Sequence, residues 1–176
     1  MTRGLERYEY FCCDGGPHLL LPSALASEWM GVENPDDVLD PATDYGRACA
    51  ASDKGIALLP VGDGHALVLG PTPPMTAWTV APDGSIEVYI LESWSTDDLD
   101  ALIDEARAAP PSSSPGALQW RVPDGGAILM FAGDTVDAAA YGTMPIPLQA
   151  GLYRVESDAR VMELGSAMAL RLLRVG

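Results

Sequence analysis

Cys12, Cys13, Cys49, His18 and His65 hold most of the reactive chemistry in this 176-residue chain. A thiol beside an imidazole is the arrangement of a cysteine nucleophile with its base. Cys12 or Cys13, with His18 or His65 and an aspartate, would supply it. The local pattern argues against this use. "RYEYFCC" (7–13) reads as a strand. Neighbouring strand residues point to opposite faces, so at most one of the paired cysteines faces a site. The expectation is buried thiols and surface histidines. Three cysteines with an adjacent pair make a poor disulfide framework. As metal ligands the five residues lack the C-x-x-C or H-x-x-x-H spacing that aims two donors at one ion. Neither a metal nor a cofactor is expected.

A second candidate is "VGDGHALVLG" (61–70). Phosphate binding of the dinucleotide type needs a strand, then G-x-G-x-x-G, then a helix whose N-terminus meets the anion. Gly62, Gly64 and Gly70 are wrongly spaced for this. The following residues are β-prone and then blocked by prolines, and the only lysine, Lys54, lies upstream. The segment reads as a hairpin in which Gly62 and Gly64 provide positive φ at the turn. His65 then sits just past the tip with no catalytic role. No G-x-S-x-G elbow occurs, and nothing singles out two of the 25 acidic residues as a catalytic pair.

Charge is more informative. Ten basic residues against 25 acidic ones give a net charge of −15. Such a field repels nucleic acid and anionic membranes and attracts basic partners. The acids cluster. Glu33, Asp36, Asp37 and Asp40 lie in a proline-punctuated loop, and Asp97, Asp98, Asp100 and Asp104 lie on a helix. Both groups are candidate contacts for a basic protein, and solubility is the plainer alternative. No apolar run approaches the ~20 residues a spanning helix requires. The N-terminal stretch has no apolar signal core, which points to the cytoplasm.

The elements that would position these residues indicate an α+β fold, mainly antiparallel β. The clearest helix is 95–109, capped by Ser95 or Thr96 and carrying Leu99, Leu102, Ile103 and Ala106 as one apolar stripe. Shorter helices are expected at 22–29 and 45–52. Strands are expected at 7–13, 18–22, 56–61, 65–70, 85–93, 144–148, 151–157 and 168–175. "ALQWRV" and "AILMFA" flank "PDGG" as strand, turn, strand. Prolines make 71–78 irregular. Trp29, Trp78, Trp94 and Trp120 are expected in the core. Residues 1–176 read as a single domain, in which "PPSSSPG" (110–116) is a joint that could divide two halves around a ligand cleft.

Several stretches together resemble the immunity protein 21 family of bacterial polymorphic toxin systems. They are "GGPHLLLPSALASEWMG" (15–31), "DYGRACA" (44–50), "GIALLPVGDGHALVLGPTPPMTAW" (55–78), "IPLQAGLYRV" (146–155) and the closing "ALRLLRV". The resemblance implies a non-catalytic inhibitor, made beside a toxin gene, that binds the toxin domain and blocks it. The motif positions Gly15, Gly16, Pro17, Leu21, Pro22, Trp29, Gly31, Asp44, Tyr45, Cys49, Gly62, Gly64 and Trp78 have the character of turns and core, not of a contact surface. A nuclease toxin would have a basic cleft, which an acidic face could occupy. The competing readings are a small enzyme using Cys13 or His65, and a ligand-binding domain. A thiol within hydrogen-bond reach of a histidine in a pocket would favour the enzyme.

Overall fold

The computed structural model describes residues 8–13, 15–32, 40–70, 75–93, 95–111 and 116–175. Apolar residues at alternating strand positions decide the layering. One six-stranded sheet has the order β1 (Glu9–Cys12), β5 (Met75–Val80), β6 (Ile86–Ser93), β11 (Gly165–Arg174), β10 (Gly151–Val161), β7 (Gly116–Val122). The second, five-stranded, runs β3 (Ala57–Val61), β4 (Gly64–Leu69), β2 (His18–Pro22), β8 (Ala127–Phe131), β9 (Thr143–Ile146). Every pairing is antiparallel.

The two sheets share a core. Leu20, Leu67, Leu69 and Leu129 from one meet Ile86, Val88, Ile90, Trp120 and Leu172 from the other. The intervening residues face outward and are buried too. Leu19, Leu21, Ala66, Val68 and Met130 pack beneath Trp29 and helix α1 (Asp44–Ser52). Tyr89 and Leu91 pack beneath Leu102, Ile103 and Ala106 of helix α2 (Leu99–Ala108). The result is helix, sheet, sheet, helix. Strands covered on both faces read as unbroken apolar runs, which explains why all of "HLLLP" is buried. Each fully buried Leu, Ile or Val contributes roughly 1.5–3 kcal/mol relative to exposure.

Several expectations require correction. The long helix begins at Leu99, and Asp98 caps it by accepting the Ala101 N–H at 3.0 Å. A Ser95 or Thr96 cap is displaced because the Thr96 hydroxyl instead accepts the Asp98 N–H. Residues 22–29 form a tighter 3-10 helix, Ser23–Glu28, with Pro22 as its cap. Residues 75–78 are not irregular: the prolines stop at Pro74, and β5 starts immediately after it. The "ALQWRV" and "AILMFA" segments are strands but not a hairpin. Gly125 and Gly126, at φ +104° and +75°, carry the chain across to the other sheet. In the β3–β4 hairpin Gly62 alone has positive φ (+53°), the signature of a type II′ turn. Gly64 is needed for space instead, since a Cβ there would lie 2.8 Å from Leu25 Cδ1. Trp29, Trp78 and Trp120 are buried; Trp94 lies outside the described residues. Each sheet draws strands from both sides of 110–116.

Candidate functional site

Strand parity puts Cys13, His18 and Thr76 on the faces where the sheets meet. Cys13 Sγ lies 3.1 Å from His18 Nε2, and His18 Nδ1 lies 2.7 Å from Thr76 Oγ1. The Cys13 thiol also donates to the Gly15 carbonyl at 3.2 Å. One proton arrangement satisfies all three contacts: the thiol donates to Gly15, His18 Nε2–H donates to sulfur, and the Thr76 hydroxyl donates to Nδ1. Phe11 closes the side with its ring edge-on to the imidazole at 4.9 Å. His18 and Thr76 have no exposed surface, and Cys13 is 8% exposed. Burial lowers the His18 pKa to about 4, so the ring is neutral at pH 7.

His18 is therefore not a surface histidine, as the sequence suggested. The thiol is within reach of an imidazole, but the pair lies between the two sheets, with the ring itself fully buried. Cys12 points the other way and is exposed. His65 is exposed, and its backbone carbonyl accepts the Trp120 indole N–H at 2.9 Å. Thr76 escaped sequence reasoning because the prolines before it masked the strand. Its parity with Trp78 is the signal that finds it.

The motif positions hold turns and packing. Gly16, at φ +83°, passes where a Cβ would stand 2.5 Å from Tyr45 Oη. Gly31, at φ +60°, packs on the Gly133 carbonyl, and the Trp29 indole donates to Ala132 O at 3.1 Å. Asp44 accepts the Met30 N–H at 2.9 Å and pairs with Arg47 at 2.8 Å. Burial raises the Tyr45 pKa to about 12, and the neighbouring Cys49 adds to it. Gly15, Pro17, Leu21 and Pro22 enter and fill β2, and the Trp78 indole donates to Met144 Sδ at 3.0 Å.

The two acidic groups divide. Glu33, Asp36 and Asp37 lie outside the described residues. Asp40 is exposed at their C-terminal flank and accepts the Ala42 N–H at 2.8 Å. Of the four acids from Asp97 to Asp104, three have partners among the described residues. Asp98 caps α2, Asp100 accepts the Tyr10 hydroxyl, and Asp104 accepts that of Tyr8 at 3.5 Å. Burial and the Asp100 bond push the Tyr10 hydroxyl well above its usual range. Arg107 pairs with Glu87 and lies 5.6 Å over the Tyr8 ring. These contacts fasten α2 to its sheet.

Three surface hollows lie among the described residues. One of about 710 Å³ is lined by Trp78, Ile146, Pro147 and Leu148, with Asp124 on its wall. A second, about 440 Å³, lies among Trp29, Met30, Val136 and Asp137, and the two share Ser23. A third, about 270 Å³, shares Pro147, Leu148 and Gln149 with the first. None is lined by 110, 111 or 116. No helix among the described residues is long and apolar enough to cross a membrane.

Two antiparallel sheets, each covered by helix on its outer face, with a histidine–thiol contact between them, define an α+β protein. The chain belongs to the immunity protein 21 family, whose family model matches residues 9–163. The family name ties it to toxin immunity. A search of curated proteins found no match, and a search of solved structures found none either.

Proposed function

We propose that this chain binds a cognate toxin domain and neutralises it without catalysing a reaction. The family match over residues 9–163 carries the reading. Burial of Cys13 and His18 supports the non-catalytic part. With a net charge of −15 the partner is a basic protein surface, not nucleic acid or an anionic membrane, and the site of action is the cytoplasm.

The acidic contact is Glu33, Asp36, Asp37 and Asp40, joined by Asp97, Asp98, Asp100 and Asp104 on α2. The loop is the stronger of the two, because Asp98, Asp100 and Asp104 already serve α2. Toward a nuclease such a surface would occupy the basic substrate cleft and steer association. The test replaces Asp36, Asp37 and Asp40 together with Asn. Association with the toxin domain encoded by the adjacent gene should slow about tenfold at low salt and lose most of its salt dependence. An unchanged rate and salt slope would remove the loop from the contact. A second reading, an enzyme built on Cys13 and His18, draws only on their 3.1 Å separation. Cys13→Ala would abolish function under that reading and preserve neutralisation under ours.

A further inference from the structure

Ser23 lines both the hollow of about 710 Å³ and that of about 440 Å³, so the two adjoin there and are read together as the halves of one groove. Its floor is apolar: Trp78, Ile146 and Leu148 in one half, Trp29 and Val136 in the other. Its walls include Met30, half-exposed at 50%, and the exposed Pro147. Asp124 and Asp137, one in each half, are both exposed, and neither makes an ion pair or side-chain hydrogen bond among the described residues. The groove is also tied to the acidic loop. Val32, the last described residue before it, bonds to Gly133 O at 3.0 Å, and Asp44 beyond it holds the Met30 N–H at 2.9 Å.

We propose that this groove receives an extended segment of the toxin domain that carries apolar side chains with Lys or Arg on its flanks. The inference rests on the neutralisation reading above and adds the surface and the chemistry of the segment. Charge complementarity selects the occupant: apolar groups fill the floor, and cations meet Asp124 and Asp137. A small ligand is a poorer fit, because small-molecule sites enclose their ligand and converge a few polar groups on it, whereas here the carboxylates stand apart in different halves. Strand addition is blocked as well. β9 is a sheet edge, but Pro145 and Pro147 carry no amide hydrogen, so a neighbouring strand would find the row of donors broken. Recognition therefore runs through side chains.

The experiment uses the full chain and the toxin domain encoded by the adjacent gene. Met30→Lys with Pro147→Lys changes only groove-wall positions that are exposed, so the thermal midpoint should stay at the native value. Binding should weaken about 30-fold or more, as expected for a central apolar contact. Asp124→Asn with Asp137→Asn should slow association and leave a shallower salt dependence. Native affinity in the lysine variant overturns the groove. If that variant melts early, Met30→Ser with Pro147→Ser replaces it, and native affinity there is equally decisive. Should the native chain itself fail to bind the toxin domain, the neutralisation reading falls and takes the groove with it. Intact native binding with an unaffected groove variant removes the groove alone.

Discussion

At the scale of single residues, His18 gives the protein a sensitivity to acid. The folded ring titrates at about 4 and the unfolded one at 6.5, so between these values the unfolded chain binds more protons. The stability that His18 secures is present in full above pH 6.5 and is lost as pH falls toward 4. The loss amounts to about 3 kcal/mol at most. Urea midpoints measured across that interval should fall more steeply for the native protein than for His18→Gln. Parallel curves would mean that the ring is not held neutral. The chain displayed part of this arrangement openly. Two adjacent strand cysteines had to diverge, and they do, Cys12 outward and Cys13 inward. The exposure of His65 followed from its place beside a turn. The burial of His18 did not follow, because a histidine at the head of "HLLLP" reads as a strand end. Only the second sheet, folded over it, makes it interior.

At the scale of elements, α1 shows how packing overrides propensity. Gly46 lies inside the helix, where alanine would ordinarily stabilise by ~1 kcal/mol. A Cβ there would stand 1.9 Å from the Asp40 carbonyl, a backbone atom that cannot step aside alone. Gly46→Ala should therefore destabilise by about 1–2 kcal/mol, lowering Tm by about 3–6 °C. Because the displaced atom belongs to the end of the acidic loop, toxin association should slow in the same variant. A rise in Tm would show that the loop does not rest on the helix. The apolar stripe of α2 was legible, since Leu102, Ile103 and Ala106 recur at helical spacing. Its acids were not, because their partners Tyr8 and Tyr10 lie about ninety residues away. The same limit hid the β7–β8 separation. Sequence pattern marks where strands are, and pairing depends on what arrives from elsewhere.

At the scale of the whole molecule, the α+β class and antiparallel pairing were legible from periodicity, while sheet membership was not. The six-stranded sheet takes β1, β5 and β6 from before residue 110 and β7, β10 and β11 from after it. A chain cut within 112–115 would leave two pieces, each with unfinished sheets. Expressed apart, the pieces should aggregate; expressed together, they should reassemble and recover toxin binding. A first piece that melts cooperatively on its own would show that its strands form a complete unit. The candidate contact surface was half visible, as charge. Its apolar half comes from Met30, Trp78 and Pro147, which are scattered along the chain and gathered only by folding.

The place of β11 between β6 and β10 has a consequence in time. Paired residues such as Glu92 and Ser166 stand 74 positions apart, so at ~5–20 residues per second the ribosome finishes β6 roughly 4–15 seconds before its partner exists. Throughout that interval β6 is a bare edge, open to the wrong neighbour. A newborn molecule completes its six-stranded sheet only once β11 has been made, so its shape is set by the last strand to arrive.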